Sequence, residues 1–286
     1  MEARLNEVKT KMQHSEASFQ SADGLKLYYQ TWRPDKTPKA VVQIITGFGE
    51  HSGRYLNVVN ELIPRGYIIY ANDHRGHGKS EGVQLYVKKF EEFVEDQKIF
   101  FDLISQKEPN LPHFIMGHSM GSTIGELFAV TYPEKIKGLA LSGTAIQVGA
   151  VHGILKAIVS FLALLAPKMR ITTDLAPQLS HDPEVVKAYR EDPLVFKKPT
   201  VKIVVAFANA VAKARKLLGQ IKIPTLVQSG SEDKAMLGSE KFKDLLTVED
   251  KTVKIYDGLY HEIYNELEKD RKITLKDLGD WLDRHC

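Results

Sequence analysis

His113-Phe114-Ile115-Met116-Gly117-His118-Ser119-Met120-Gly121-Ser122 is the stretch that decides the reading of this chain. Its first residues form a short apolar run, the kind that makes a strand buried on both faces of a parallel sheet. From Ser122 to Tyr132 the pattern becomes helical. Between them a tight strand-to-helix turn carries Ser119. Such a turn projects the hydroxyl free of the backbone, and the flanking glycines let neighbouring segments approach without a Cβ clash. The helix start aims backbone N–H groups at developing negative charge. A serine hydroxyl is a poor nucleophile until a base removes its proton, so partners must be found elsewhere. Alone, the five-residue Gly-x-Ser-x-Gly pattern arises by chance in roughly one chain in ten of this size. Its setting between strand and helix makes it informative.

Working outward, further apolar runs bounded by Gly or Pro read as buried parallel strands: Ala40 to Ile45, Tyr67 to Ala71, Ile136 to Ser142, Thr225 to Ser229 and Val253 to Tyr256. Helical stretches alternate with them, at Tyr55 to Arg65, Phe90 to Gln106, Ser239 to Leu246 and Leu275 to Arg284. This alternation predicts an α/β fold, a mostly parallel sheet covered on both faces. Asp23-Gly24 before Leu25, Leu27 and Tyr29 marks the far arm of an early antiparallel hairpin. The chain has 286 residues, which a single large α/β domain accommodates.

The interval from Thr144 to about Gly219 breaks the rhythm, shows no clear buried strand and is too long for a plain loop. It reads as helices inserted into the sheet domain. Val151 to Pro167 is its most apolar part, too short for a bilayer span of about 20 residues and interrupted by His152 and Lys156. Two readings stand there: a buried core helix, or a lid helix whose outer face stays apolar to receive lipid or touch a membrane, since apolar residues run nearly all the way round.

A net charge of +3 is too small for a nucleic-acid partner. The pairs Lys88-Lys89 and Lys197-Lys198 read as solvated surface rather than an anionic-lipid patch. The single cysteine, Cys286, rules out an internal disulfide. The first residues alternate charged and polar types (Glu2, Arg4, Asn6, Glu7, Lys9, Lys11), without an apolar signal core, and read as a short helix or frayed tail. The expectation is a cytoplasmic enzyme, peripheral at membranes at most.

In this architecture the triad runs Ser, Asp/Glu, His along the chain. His261 lies in the loop after the strand Val253 to Tyr256, and a histidine near its ordinary pKa of ~6.5 can accept and return a proton at neutral pH. Of the other histidines, only His285 also follows the acid, and it is a tail residue. Asp233 stands just past the strand Thr225 to Ser229, where its carboxylate can hold the imidazole tautomer. Glu232 beside it and Asp257 before His261 are the competitors. Thr46-Gly47-Phe48-Gly49, after the first long parallel strand, provides an oxyanion loop, with the N–H groups of Phe48 and Met120 as donors. Losing one such donor typically raises the barrier by about 2.7–4 kcal/mol. Asp73-His74-Arg75-Gly76-His77-Gly78-Lys79-Ser80 has no carboxylate or thiolate at zinc spacing and reads as a structural loop. It also misses a phosphate loop, because Asp73 stands where a glycine is needed.

Four motifs in order now carry a resemblance: Gly47-Phe48-Gly49-Glu50-His51-Ser52-Gly53-Arg54-Tyr55, Asp73 to Ser80, Gly117 to Gly121, and Asp233 with Tyr260-His261. On these the chain resembles the monoacylglycerol lipase / lysophospholipase branch of the α/β-hydrolases, over nearly its whole length outside the insertion. The resemblance implies a mostly parallel eight-stranded sheet flanked by helices, a core of residues 1–143 and 220–286, and a helical cap of residues 144–219 over an apolar acyl tunnel. It implies a triad of Ser119, Asp233 and His261, with Phe48 and Met120 forming the oxyanion hole. It departs at Thr46, where the family usually has histidine, and at Tyr264, where the mammalian enzyme has a histidine near the glycerol end.

The expected activity is hydrolysis of carboxylic esters bearing one fatty acyl chain, monoacylglycerol first. Lysophospholipase or short- to medium-chain carboxylesterase activity is the alternative, and a non-catalytic ligand-binding protein on the same fold is the alternative of another class. A dehalogenase or epoxide hydrolase would need Asp at position 119. The chemistry calls for no metal or organic cofactor. The expected partners are a lipid ester and, through the cap, transient contact with a membrane surface.

Overall fold

The computed structural model of the protein describes residues 12–148, 153–172 and 174–286. The amino-terminal tail from Glu2 to Lys11 lies outside the described residues, as do Val151 and His152 of the apolar stretch.

The long apolar runs become the sheet. Strands β3 (Ala40–Ile45), β4 (Tyr67–Asn72), β5 (His113–His118), β6 (Gly138–Ser142) and β8 (Thr225–Gly230) are buried along their whole length. Only a sheet covered on both faces allows that. Strand β10 (Lys251–Tyr256) forms one edge and is half-buried. At the other edge β1 (Met12–Gln20) and β2 (Lys26–Pro34) form an antiparallel hairpin. The second arm was legible; the first carries Met12-Gln13-His14-Ser15-Glu16 along an exposed edge and has no apolar run to mark it. The eight strands lie in the order β1-β2-β4-β3-β5-β6-β8-β10, parallel from β4 onward, with β2 antiparallel to β4.

Side chains alternate across this sheet. Val42, Ile44, Phe114 and Met116 join a cluster with α1 (Leu56–Arg65) and α8 (Glu268–His285), where Trp281 is fully buried. Ile45, Ile115 and Leu141 face the opposite way, toward α2 (Glu91–Lys107) and α3 (Met120–Thr131). Fully burying one such aromatic or aliphatic side chain contributes about 1.5–3 kcal/mol, so both helical layers are needed to cover the strands. Helix α8 starts earlier than the apolar pattern from Leu275 suggests, because its first turn is polar.

Between β6 and β8 the chain is helical: α4 (Gly153–Leu165), α5 (Pro183–Glu191) and α6 (Val201–Leu217). Among the described residues of this interval a short strand, β7 (Gln147–Val148), pairs with β9 (Met236–Leu237). Two residues in an exposed position leave no sequence signal, which is why no strand was expected there. On α4, Phe161, Leu164 and Leu165 are exposed, Leu164 at 78%. The stretch Ser239 to Leu246 divides into a short 3-10 turn and the single turn α7 (Phe242–Leu245).

One buried carboxyl group stands apart in this core. Glu126 of α3 accepts a hydrogen bond from Thr144 Oγ1 at 2.5 Å, and its Oε2 has no partner among the described residues. Burial pushes its carboxyl up to about 8, so it folds as the neutral acid. An acid whose folded pKa exceeds its unfolded one binds more protons folded, so stability falls as pH rises between the two values. Glu126→Gln mimics the protonated form. It should match the wild type near pH 4 and melt progressively higher than it as pH rises toward 8; calorimetry across that range measures the divergence.

Candidate active site

The strand order reverses at β3 and β5: from β3 the chain moves outward to β4, while β5 lies on its other side. Open α/β sheets bind ligands at the carboxyl ends of strands around such a switch point. Ile45 and Gly117, the last residues before the two turns, are paired in register. The loop Thr46–Gly49 and the Ser119 turn therefore emerge side by side.

Ser119 sits at φ 55, ψ −118, a backbone state that a side chain rarely adopts. Close packing enforces it. A Cβ on Gly121 would lie 2.0 Å from the Ile45 carbonyl oxygen, and one on Gly117 would lie 2.5 Å from that of Gly121. Ser119 N–H donates to the Ser142 carbonyl at 2.9 Å, and the Ser122 hydroxyl bonds the Gly117 and Ser142 carbonyls. The turn is thus tied to both β5 and β6.

Asp233 and His261 meet. Asp233 Oδ2 is 2.7 Å from His261 Nδ1, while Oδ1 accepts the N–H groups of Ala235 and Met236. Burial works against the Asp233 charge, but His261 and these amides outweigh it and hold the carboxyl below its ordinary value. Burial likewise opposes a charged His261, yet Asp233 outweighs it and raises the imidazole above 6.5. The competitors are elsewhere. Asp257 only approaches the Ser231 hydroxyl on the surface. Glu232 is exposed, and His285 bonds Trp281 and Asp250.

The His261 ring stands 4.9 Å, centroid to centroid, from that of His118, the residue before Ser119. This sets His261 beside the Ser119 turn. The Ser119 hydroxyl makes no hydrogen bond to the imidazole among the described residues; such contacts commonly tighten only when substrate is present.

Met120 is the first residue of α3, so its N–H has no intrahelical acceptor. The Phe48 N–H donates to nothing among the described residues. The loop between them is held from below. Gly47 N–H donates to Glu50 Oε1 at 2.7 Å and to the Tyr55 hydroxyl at 3.1 Å, and His74 Nε2 donates to the Thr46 carbonyl at 3.0 Å. That support reaches Thr46 through its main chain and makes no use of the side chain at this position. The Thr46 hydroxyl itself is buried without a partner among the described residues. The Phe48 ring stacks on Phe207 of α6 at 6.2 Å and meets the edge of His77.

Asp73 to Ser80 proves to be scaffolding. Asp73 accepts the Ser52 N–H, the Ser52 hydroxyl and the Lys79 N–H. His77 Nδ1 pairs with the Arg75 carbonyl, and Arg75 grips Asp96. Burial pushes His74 down to about 3 and His77 to about 4, so both stay neutral.

The residue reading overlooked a buried ion cluster. Arg54 bonds Glu50 Oε2 at 2.6 Å and both oxygens of Glu262 at 2.7 and 2.8 Å, under the Tyr189 ring of α5 at 4.9 Å. Burial opposes the Glu262 charge, but Arg54 outweighs it and lowers that carboxyl to about 2. The cluster joins Glu50, which follows the Thr46–Gly49 loop, to the residue after His261. Its only trace was Glu50 and Arg54 inside the Gly47–Tyr55 motif; nothing local linked them to Glu262. Tyr264 borders the same small cavity as this cluster, and its hydroxyl donates to Gln228 Oε1 in the core.

A family model described as serine aminopeptidase, S33 (Hydrolase_4) matches residues 36–268. The chain is 35% identical to the monoacylglycerol lipase of Mycolicibacterium smegmatis over 278 residues, covering 95% of this chain and 98% of that protein. It is 32% identical to the monoglyceride lipase of Homo sapiens, covering 92% and 89%. Among solved structures it is similar to a soluble variant of the Saccharomyces cerevisiae monoglyceride lipase in complex with a substrate analogue, with a TM-score of 0.86, 26% identity and 97% of both chains covered. Sheet, switch point and turn agree with these matches: the chain belongs to the serine aminopeptidase S33 family, in the monoacylglycerol lipase branch of the α/β-hydrolases.

Proposed function

We propose that Ser119, His261 and Asp233 form the catalytic triad of a lipase for single-chain esters, cleaving monoacylglycerol to glycerol and fatty acid. The observation that carries this is the Asp233–His261 pair, 2.7 Å apart, beside the strained Ser119 turn. The relatives named monoacylglycerol and monoglyceride lipases, matched over nearly their whole length, support the substrate class.

In this reading Ser119 Oγ attacks the ester carbonyl while His261 Nε2 takes its proton. Asp233 keeps the other proton on Nδ1 and stabilises the imidazolium. The oxyanion lies against the N–H groups of Phe48 and Met120. His261 then protonates the departing glycerol oxygen, and water, activated by the same imidazole, releases the fatty acid from the acyl-enzyme.

Residues 144–219 act as a cap over a core of 1–143 and 220–286. Support comes from their contacts with the catalytic loops: Asp192 pairs with His51 at 2.9 Å, Phe196 N–H donates to the Gly49 carbonyl, and Phe207 covers Phe48. No helix among the described residues is long and apolar enough to cross a membrane. The exposed Phe161, Leu164 and Leu165 of α4 instead suit transient contact with a lipid surface.

Ser119→Ala should abolish ester turnover with an unchanged melting temperature; residual full activity in purified protein removes Ser119 from the mechanism. The raised His261 pKa places the acid limb of kcat/KM above pH 6.5, with activity lost as pH falls through it. Asp233→Asn should lower kcat steeply and move that limb to lower pH in a pH–rate profile. Leu164→Ser combined with Leu165→Ser should weaken binding to lipid vesicles by about tenfold or more, while hydrolysis of a water-soluble nitrophenyl butyrate is unchanged. Equal losses on both substrates would argue against the surface-contact role.

A further inference from the structure

The catalytic histidine is held by more than Asp233. Three successive backbone N–H groups around it are each engaged. Tyr260 N–H donates to Glu266 Oε1 at 2.8 Å, His261 N–H to the Gln178 carbonyl at 3.3 Å, and Glu262 N–H to the Leu179 carbonyl at 2.7 Å. The last two bonds come from the insertion, in the segment that leads into α5. The histidine loop and this segment therefore run together as a short ladder.

Glu266 closes that ladder. It is fully buried, and it meets donors from both sides. From the insertion it takes the His181 N–H at 2.9 Å and His181 Nδ1 at 3.1 Å, with the Ser180 hydroxyl at 3.3 Å; from the histidine loop it takes Tyr260 N–H. The Tyr260 and His181 rings stack at 3.7 Å directly beside it. A carboxylate is acceptor-only and can satisfy several donors at once. A glutamine amide would turn an NH2 group toward at least one of these N–H groups, leaving buried donors unmatched.

We propose that Glu266 is a positioning residue for His261, fixing the histidine loop to the insertion so that the imidazole is held from its backbone as Asp233 holds it from Nδ1. This rests on the triad reading above. Glu266 does not touch substrate; it acts through the placement of Tyr260 and His261. Small displacements of a catalytic group cost rate rather than binding.

The test compares wild type, Glu266→Gln and Glu266→Asp as full chains, with kcat and KM on a soluble nitrophenyl ester, the pH profile of kcat/KM, and melting temperature. Glu266→Gln should lower kcat by about tenfold to a hundredfold with KM unchanged. Its acid limb should move to lower pH as the Asp233–His261 contact loosens. Glu266→Asp, which stays acceptor-only, should recover part of the lost kcat. A folded Glu266→Gln enzyme with wild-type kcat, or one altered only in KM, overturns the proposal. If Glu266→Gln does not fold, His181→Leu serves instead: it removes the ring stack and one donor, and should lower kcat in the same direction by less. Wild-type kcat in that folded variant overturns the proposal as well. Labelling of wild type with a fluorophosphonate separates the two levels. Absence of label on Ser119 defeats the triad reading itself, whereas a labelled wild type with unaffected variants defeats only the positioning role.

Discussion

The site depends on how closely the start of α3 presses against the ends of β3 and β5. Gly121 lies so near the Ile45 and Thr46 carbonyl oxygens that no side chain fits between them, and Gly117 is equally close to the Gly121 carbonyl. That contact accompanies the rare backbone conformation of Ser119, directly before the start of α3, whose first N–H groups have no intrahelical acceptor. It also draws the Thr46–Gly49 loop alongside, since that loop continues from β3. Strain of this kind costs of order 1–3 kcal/mol. It persists because α3 is anchored on both faces of its turn, through Ser122 below and through the apolar packing of Ile124 and Phe128 along its length.

The loops that bring the remaining groups are held by buried carboxylates. Glu50 fixes the Thr46–Gly49 loop through Gly47 and Tyr55, Asp73 fixes Ser52 in the same motif, and Glu262 shares Arg54 with Glu50. Glu266 does the same for the histidine loop and the insertion. Desolvating such charges is expensive, and a well-packed apolar cluster would often be at least as stable. What the carboxylates provide instead is geometry: each accepts several N–H or O–H groups, Glu50 within its own loop and Asp73, Glu262 and Glu266 also from segments distant in the chain, so a loop without regular structure is fixed at defined points.

The insertion is bound to the core unevenly. Around α5 and its flanks it shares main-chain hydrogen bonds with the catalytic loops, through Gln178, Leu179 and Phe196. At α4 its described side chains include three large apolar residues turned to solvent. The segments around α5 are thus tied to the loops of His261 and Gly49, while the outer face of α4 is open to solvent. Of the two readings of the apolar stretch, a buried core helix or an outward-facing lid, the exposure of Phe161, Leu164 and Leu165 speaks against full burial of this helix.

Much of this was legible in the sequence. Strands such as β3 and β5 were visible because a strand covered on both faces must be apolar at every position. Ser119, Asp233 and His261 were visible because a strand ending in a tight turn leaves a local trace, and because their order along the chain is constrained by the fold. The edge strand β1 and the two-residue β7 were not visible, because neither buries enough apolar surface to pattern its residues. Tertiary structure alone decided that Asp233, and not Asp257, meets His261. It alone brought Arg54 between Glu50 and Glu262, and Glu266 between Tyr260 and His181. Such pairings join positions distant in the chain, and a polar residue carries no mark of its partner until folding removes the water that would otherwise satisfy it.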